Sequence, residues 1–332
     1  MIFFGDSLSD VGNNTWVFMD NGFSIGAPIT NPNDENQKYL WVNYLAQAKL
    51  GNPVYPSSSQ LHLDPLNDSI SYAYASAVTD NEYLNIDWPQ NPEGNPYVNT
   101  VQCTQAGGAG TIKNSMGEII STCVPGVVKQ VEIYLKNVAY KPNPATVFFI
   151  WAGSNDLAYY LKSYIKLNNC IPSRDELLSI EKTTVNNINE AKNKLIDAGV
   201  KSDQIYILTL PDSSKTPAVL TSDSSWKWYI TKILFTLSST LSETVNNFNR
   251  QLVFQHEEGK YAIPRSHYID IADLFDRMIT SPNLYGLRNI DGSCVLKNGT
   301  PVCSGFLFYN NQHPTTYVYK IIADKVASVL NS

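Results

Sequence analysis

Five short apolar runs alternate along the chain with longer stretches whose apolar positions repeat at helical spacing. The first is residues 1–5, and Ser71-Tyr72-Ala73-Tyr74-Ala75 is a weaker second. Ala145 to Trp151 and Ile205 to Leu210 are strong, and Tyr268-Ile269-Asp270-Ile271 closes the set. β-Branched and aromatic enrichment marks these runs as strands. Between them, Val127, Val131, Tyr134 and Val138 line one helical face. A second helix is predicted from Asp175 to Ala198, with Val185, Ile188 and Leu195 on one side and Gly199 as its stop. A third runs from Asp223 to Gln255 with Val245, Phe248 and Leu252 on a face, and a last from Thr316 to Leu330. Strand–helix alternation of this kind predicts an α/β fold with a mostly parallel sheet covered on both sides.

Residues 84–123 break the rhythm. Three prolines, five glycines and few periodic apolar positions predict a long loop or small excursion, serving as a lid or binding loop or simply as surface insertion. The chain of 332 residues is otherwise read as a single domain, long enough to bury a large core.

Composition narrows the partners. Apolar residues make up 43% but charged ones only 16%, below the roughly 25% usual in soluble domains, and Asn, Ser, Thr and Tyr supply the missing polarity. A net charge of −6 with no basic cluster argues against nucleic acid. Five cysteines stand at 103, 123, 170, 294 and 303. Cys103–Cys123 and Cys294–Cys303 pairings would close two short loops and leave Cys170 free, although spacing permits other schemes and scattered reduced thiols are the other reading. Bridges fit an extracellular or periplasmic destination. Met1-Ile2-Phe3-Phe4 is too short for a signal peptide and reads as a strand already under way, as in an exported chain whose leader has been removed or in a cytosolic chain with this natural start.

Three segments carry candidate chemistry. Phe4-Gly5-Asp6-Ser7-Leu8-Ser9-Asp10 puts a serine directly after the first strand, at the carboxyl edge where open α/β sheets bind ligands. A helix beginning near Asp10 would aim its positive end at Ser7, although a lone serine there is also a common helix cap. Gly153-Ser154-Asn155-Asp156 follows the third strand and offers the Asn155 amide at the same edge. Asn310-Asn311-Gln312-His313-Pro314-Thr315 precedes the last helix and offers His313 as a general base.

In this order, FGDSLSDVGNN, WAGSNDLAY and FLFYNNQHPTT resemble the blocks of the GDSL/SGNH hydrolase family, notably its bacterial secreted phospholipase A, lysophospholipase and glycerophospholipid–cholesterol acyltransferase branch. Softer matches at Trp41-Val42-Asn43-Tyr44-Leu45, Leu210-Pro211-Asp212 and Ser281 to Leu287 extend the resemblance over nearly the whole chain. It implies a three-layer α/β/α, flavodoxin-like SGNH-hydrolase fold with a mostly parallel five-stranded sheet and no metal or organic cofactor. Ser7 is the implied nucleophile and His313 the base. The Ser7 and Ser76 backbone N–H groups and the Asn155 side chain are the implied oxyanion donors. The implied substrates are phospholipids, lysophospholipids or other acyl esters, with a lipid alcohol such as cholesterol as a possible acceptor and contact with a membrane surface.

Two positions depart from the family pattern. Ser76 replaces the usual glycine of the second block, which matters if the backbone there needs positive φ. Asn310 replaces the Asp that orients the histidine. A comparable loss in serine hydrolases costs about 10⁴ in turnover through the wrong imidazole tautomer. Three accounts remain open: an engineered inactivating replacement, a natural residue with another acceptor helping His313, or a non-catalytic lipid- or glycan-binding protein. Trp226, Trp228, Tyr229, Ile230, Ile233, Leu234 and Phe235 are candidates to line an acyl groove, or else an ordinary buried helix.

Overall fold

The structure is a computed structural model describing residues 1–13, 39–58, 63–87, 110–113, 119–220, 234–254, 259–294 and 303–332. Strand β1 (Ile2–Gly5) is followed by helix α1 (Trp41–Leu50) and strands β2 (Val54–Pro56) and β3 (Ser69–Ser71). An excursion of β4 (Tyr83–Asp87), β5 (Gly110–Lys113) and β6 (Ile119–Pro125) leads to α2 (Val127–Asn137) and β7 (Phe148–Trp151). Then come α3 (Ser154–Asn168), α4 (Arg174–Asp197), β8 (Ile205–Leu208), α5 (Leu234–Phe254), β9 (Tyr268–Ile269) and α6 (Ile271–Thr280). The paired β10 (Asn289–Ser293) and β11 (Phe306–Phe308) precede α7 (Thr316–Leu330).

The central sheet runs β2-β3-β1-β7-β8-β9 with every neighbouring pair parallel. β1, β7 and β8 are wholly buried, which explains their unbroken apolar runs: a parallel strand covered on both faces has no solvent side to make polar. α1 packs on α7 on one side of the sheet, while α2, α4 and α5 pack in series on the other. This gives the three layers that right-handed crossovers demand. Among the described residues no helix is long and apolar enough to cross a membrane.

Strand order reverses at β1: the chain first crosses to the edge strand β2, steps back to β3, then passes β1 to reach β7. Such a reversal opens a crevice at the carboxyl ends of the two strands, because the flanking connections leave on opposite faces. Residues 6–13 follow β1 and residues 153–156 follow β7, so both candidate segments open onto that crevice.

Four expectations are adjusted. A sixth strand, β2, lies at the edge, too short and too Pro-flanked to be read from pattern. The second strand is Ser69–Ser71 rather than 71–75, yet its hydrogen bonding along β1 continues, Tyr72 N donating to Phe3 O and Tyr74 N to Gly5 O. The excursion is no mere loop: its backbone forms the antiparallel sheet β4-β6-β5, a non-local pairing that periodicity does not reveal. No helix begins at Asp10; residues 7–13 are turn and bend. Residues 226–233 of the aromatic run, and the side chains of Leu234 and Phe235, lie outside the described residues, as does Cys103.

Candidate active site

The turn after β1 is fixed by its own polar side chains. Gly5 runs so close to β7 that a Cβ there would sit 2.2 Å from Trp151 O, which only glycine allows. The buried Gln130 side chain bonds both Gly5 N and Gly5 O, at 2.9 and 2.8 Å. Asp6 Oδ1 accepts Leu8 N, bending the chain so that Ser7 faces the crevice. Asp10 accepts Gly12 N, Asn13 N and Ala75 N, and the Asn13 amide donates to Ser71 O and Ala73 O. These contacts take over the positioning work expected of a helix at Asp10.

His313 sits in a tight hairpin held by Tyr309 N to His313 O and by a bridge between Phe308 and Pro314. Cys294 and Cys303 are bonded to each other, and Cys294 N donates to Phe308 O. The bridge therefore braces the strand that leads into His313, and it is one of the pairings that spacing allowed. Cys123 is also disulfide-bonded, and Cys170 is free and exposed.

Ser7 Oγ and His313 Nε2 are 2.8 Å apart although 306 positions separate them in sequence. His313 Nδ1 lies 3.0 Å from Asn310 Oδ1, which also accepts His313 N at 2.8 Å and Gln312 N at 2.9 Å. The two backbone donors decide which way the amide faces. A turned amide would set its NH₂ against two N–H groups, so the oxygen must point inward. The acceptor then selects the His313 tautomer with hydrogen on Nδ1, leaving Nε2 to accept from the serine hydroxyl. Asn310 Oδ1 is thus placed to accept the His313 Nδ1 hydrogen, in the position where the family carries an Asp.

Burial lowers the His313 pKa to about 4, so the ring is neutral at ordinary pH. Burial pushes Asp6 up to about 7, with the nearby Asp156 and Asp10 adding to the shift. A partly protonated Asp6 puts less negative charge behind Ser7 than an ionised one. The Asn155 amide donates one hydrogen to Ala77 O at 2.8 Å and keeps the other for the cavity it lines. Ser76 stands at φ 71°, the left-handed region its family glycine would have met without strain. Ser7, Asn155 and His313 line one cavity and Asn310 is bonded to His313. Ser76 does not line this cavity and is tied to Asn155 through its neighbour Ala77.

The cavity measures about 180 Å³ and is walled mainly by Leu157, Leu161 and Ile165 of α3, Val219, Leu241 and Phe275. Leu157, Leu161 and Ile165 recur every four residues and so form one stripe along α3. Among the described residues no cluster of His, Cys, Asp or Glu could hold a metal ion. What the site can do is nucleophilic acyl chemistry: a hydroxyl hydrogen-bonded to an oriented neutral imidazole, beside amide donors, at the mouth of an apolar slot.

Residues 1–326 match the GDSL-like lipase/acylhydrolase family, and the chain belongs to it. A GDSL esterase/lipase of Arabidopsis thaliana is 24% identical over 97% of this chain and 79% of its own. The thermolabile hemolysin of Vibrio parahaemolyticus is 21% identical over 99% of this chain, which spans 63% of that protein. The bracing roles of Asp10, Asn13 and Gln130 were not read from sequence. Asp10 and Asn13 lie within the first family block, whereas Gln130 carries no signal, because its partner is 125 positions away.

Proposed function

We propose that this protein is an exported serine hydrolase that cleaves acyl esters of lipids, with (lyso)phospholipids as the leading substrates. The observation that carries the reading is the apolar slot that opens on Ser7 and His313. Ser7 Oγ attacks the ester carbonyl as its proton passes to His313 Nε2, and the Asn310 oxygen holds the resulting imidazolium by its other N–H. The oxyanion forms against the Ser7 and Ser76 N–H groups and the Asn155 amide. Collapse expels the alcohol, which takes the proton from His313 and leaves an acyl group on Ser7. Water, activated in turn by His313, releases the fatty acid and restores the serine; a lipid alcohol in its place gives acyl transfer.

Leu157, Leu161 and Ile165 run about 12 Å along α3 at about 1.5 Å per residue, which is in keeping with an acyl chain lying along that apolar stripe. That one relative is a hemolysin is in keeping with membrane lipid as substrate, and the bonded cysteines with an oxidising compartment. The test is fatty-acid release from lysophosphatidylcholine and from medium-chain aryl esters, with Ser7→Ala as the blank. Equal rates for parent and blank on every ester would turn the reading to a lipid-binding protein.

A further inference from the structure

Ser76 is held in a conformation that serine disfavours, and apart from the Asn155 amide the bonds that hold it come from residues outside the cavity. A non-glycine residue in the left-handed region persists only where its surroundings over-determine it. On one side, Ala75 N is held by Asp10 Oδ2 at 2.7 Å. On the other, Ala77 N donates to Tyr74 O, and Ala77 O accepts from the Asn155 amide. Two residues further on, Thr79 N donates to both Asp156 oxygens, at 3.1 and 3.2 Å, and Thr79 Oγ1 donates to Asp156 Oδ1 at 2.6 Å. Asn187 Nδ2 donates to the same hydroxyl, fixing its direction. The Ser76 hydroxyl itself bonds the Tyr159 phenol. Asn155, Asp156 and Tyr159 all belong to the first turns of α3.

We propose that Asp156, acting through Thr79, is the positioning residue of the oxyanion site: it clamps the strained Ser76 turn to the first turn of α3, making the Ser76 N–H and the Asn155 amide one rigid pair. Neither Asp156 nor Thr79 lines the cavity, so neither meets substrate. Both are buried, and their mutual bonds satisfy the polar groups of each. The geometry explains why adjacent residues of one helix divide the work, Asn155 facing the reacting carbonyl and Asp156 the turn that supplies the other donor. Loosening the clamp leaves both donors present but no longer held at a common distance from the oxyanion, and such sites tolerate little displacement. The inference rests on reading Ser76 and Asn155 as oxyanion donors.

The test is a double-mutant cycle on hydrolysis of a medium-chain aryl ester, with melting temperatures measured for every variant. Thr79→Val keeps shape and removes the hydroxyl; Thr79→Ser keeps the hydroxyl. Thr79→Val is expected to lower kcat about tenfold with KM unchanged, a fraction of the roughly 100- to 1000-fold that losing a whole donor costs. Thr79→Ser should recover kcat to within about twofold, and in an Asn155→Ala background Thr79→Val should cost less than about twofold, because coupled residues are non-additive. A loss of the same size in both backgrounds, or one confined to KM or to the melting temperature, overturns the proposal and leaves the clamp purely structural. Asp156→Asn repeats the cycle from the other partner if Thr79→Val fails to fold. Should the parent not exceed the Ser7→Ala blank, the donor reading itself falls and the proposal with it.

Discussion

Replacing Asn310 by Asp isolates what a charge adds when the geometry is already right. In this site the amide oxygen accepts three N–H groups, and a carboxylate oxygen can take the same three. The substitution therefore changes charge and little else. Two unit charges about 4 Å apart at an effective dielectric near 20 attract by about 4 kcal/mol. Asn310 is only half-buried, so water screens part of this. A discount of about half leaves about 2 kcal/mol for the imidazolium that forms on attack, roughly a 30-fold gain in kcat near pH 8. The gain stays well short of the 10⁴ or so seen where an Asn for Asp exchange spoils the tautomer.

The pH profile supplies the sign. Catalysis needs neutral His313, so kcat/KM is lost as pH falls through the imidazole pKa of the free enzyme. That pKa is about 4 in the parent, lowered by burial. A carboxylate at 310 raises it, so the acid limb of the variant moves toward neutrality and its advantage shrinks as pH falls. Initial rates on an aryl ester from pH 4 to 9 for both forms, with Ser7→Ala subtracted, measure both effects. A gain near 10⁴ would mean that the amide does not present its oxygen to His313. A parent acid limb already near neutrality would refute the desolvated, charge-free setting assigned to the ring.

Asn155→Ala should keep the melting temperature and cost about 3–4 kcal/mol in kcat, the worth of one oxyanion donor; parent-like turnover would remove Asn155 from the mechanism. Ile165→Trp should shorten the preferred acyl chain by several carbons while sparing short esters, read as KM against chain length; an unchanged profile would place the chain elsewhere. Reducing the Cys294–Cys303 bond should depress activity before the far-ultraviolet circular dichroism changes, because the bridge braces β10 and β11 rather than the central sheet. Simultaneous loss of both signals would show the bridge to be global.

Legibility differed sharply between the strands and the turns. β7 and β8 were evident because burial on both faces leaves an uninterrupted apolar run, and α7 was predicted to the residue because Thr315 caps it and its apolar face is periodic. β9 was overextended: Asp270 leaves the strand to cap α6 by accepting Asp273 N, so Ile271 is helical. The excursion sheet was missed because its strands pair across stretches rich in glycine and proline, and local pattern is blind to such partners.

The blocks around Ser7, Asn155 and His313 were readable because each is a short chemical signature next to a strand end or helix start, and local sequence alone determines such placements. The α/β alternation was read from local pattern in the same way, whereas the roles expected of Ser7 and His313 came from the ordered blocks shared with the family. The state of Asn310 was readable from neither. Whether an amide serves or spoils a histidine depends on which atom faces the ring, and that was decided by two backbone N–H groups brought there by the hairpin fold. Likewise the positive φ of Ser76 and the clamp of Asp156 on Thr79 arise where chain segments 77 residues apart meet. Composition and spacing specify what the residues can do; only tertiary packing sets which hydrogen-bonding atoms meet, because direction and distance, rather than residue type, decide that.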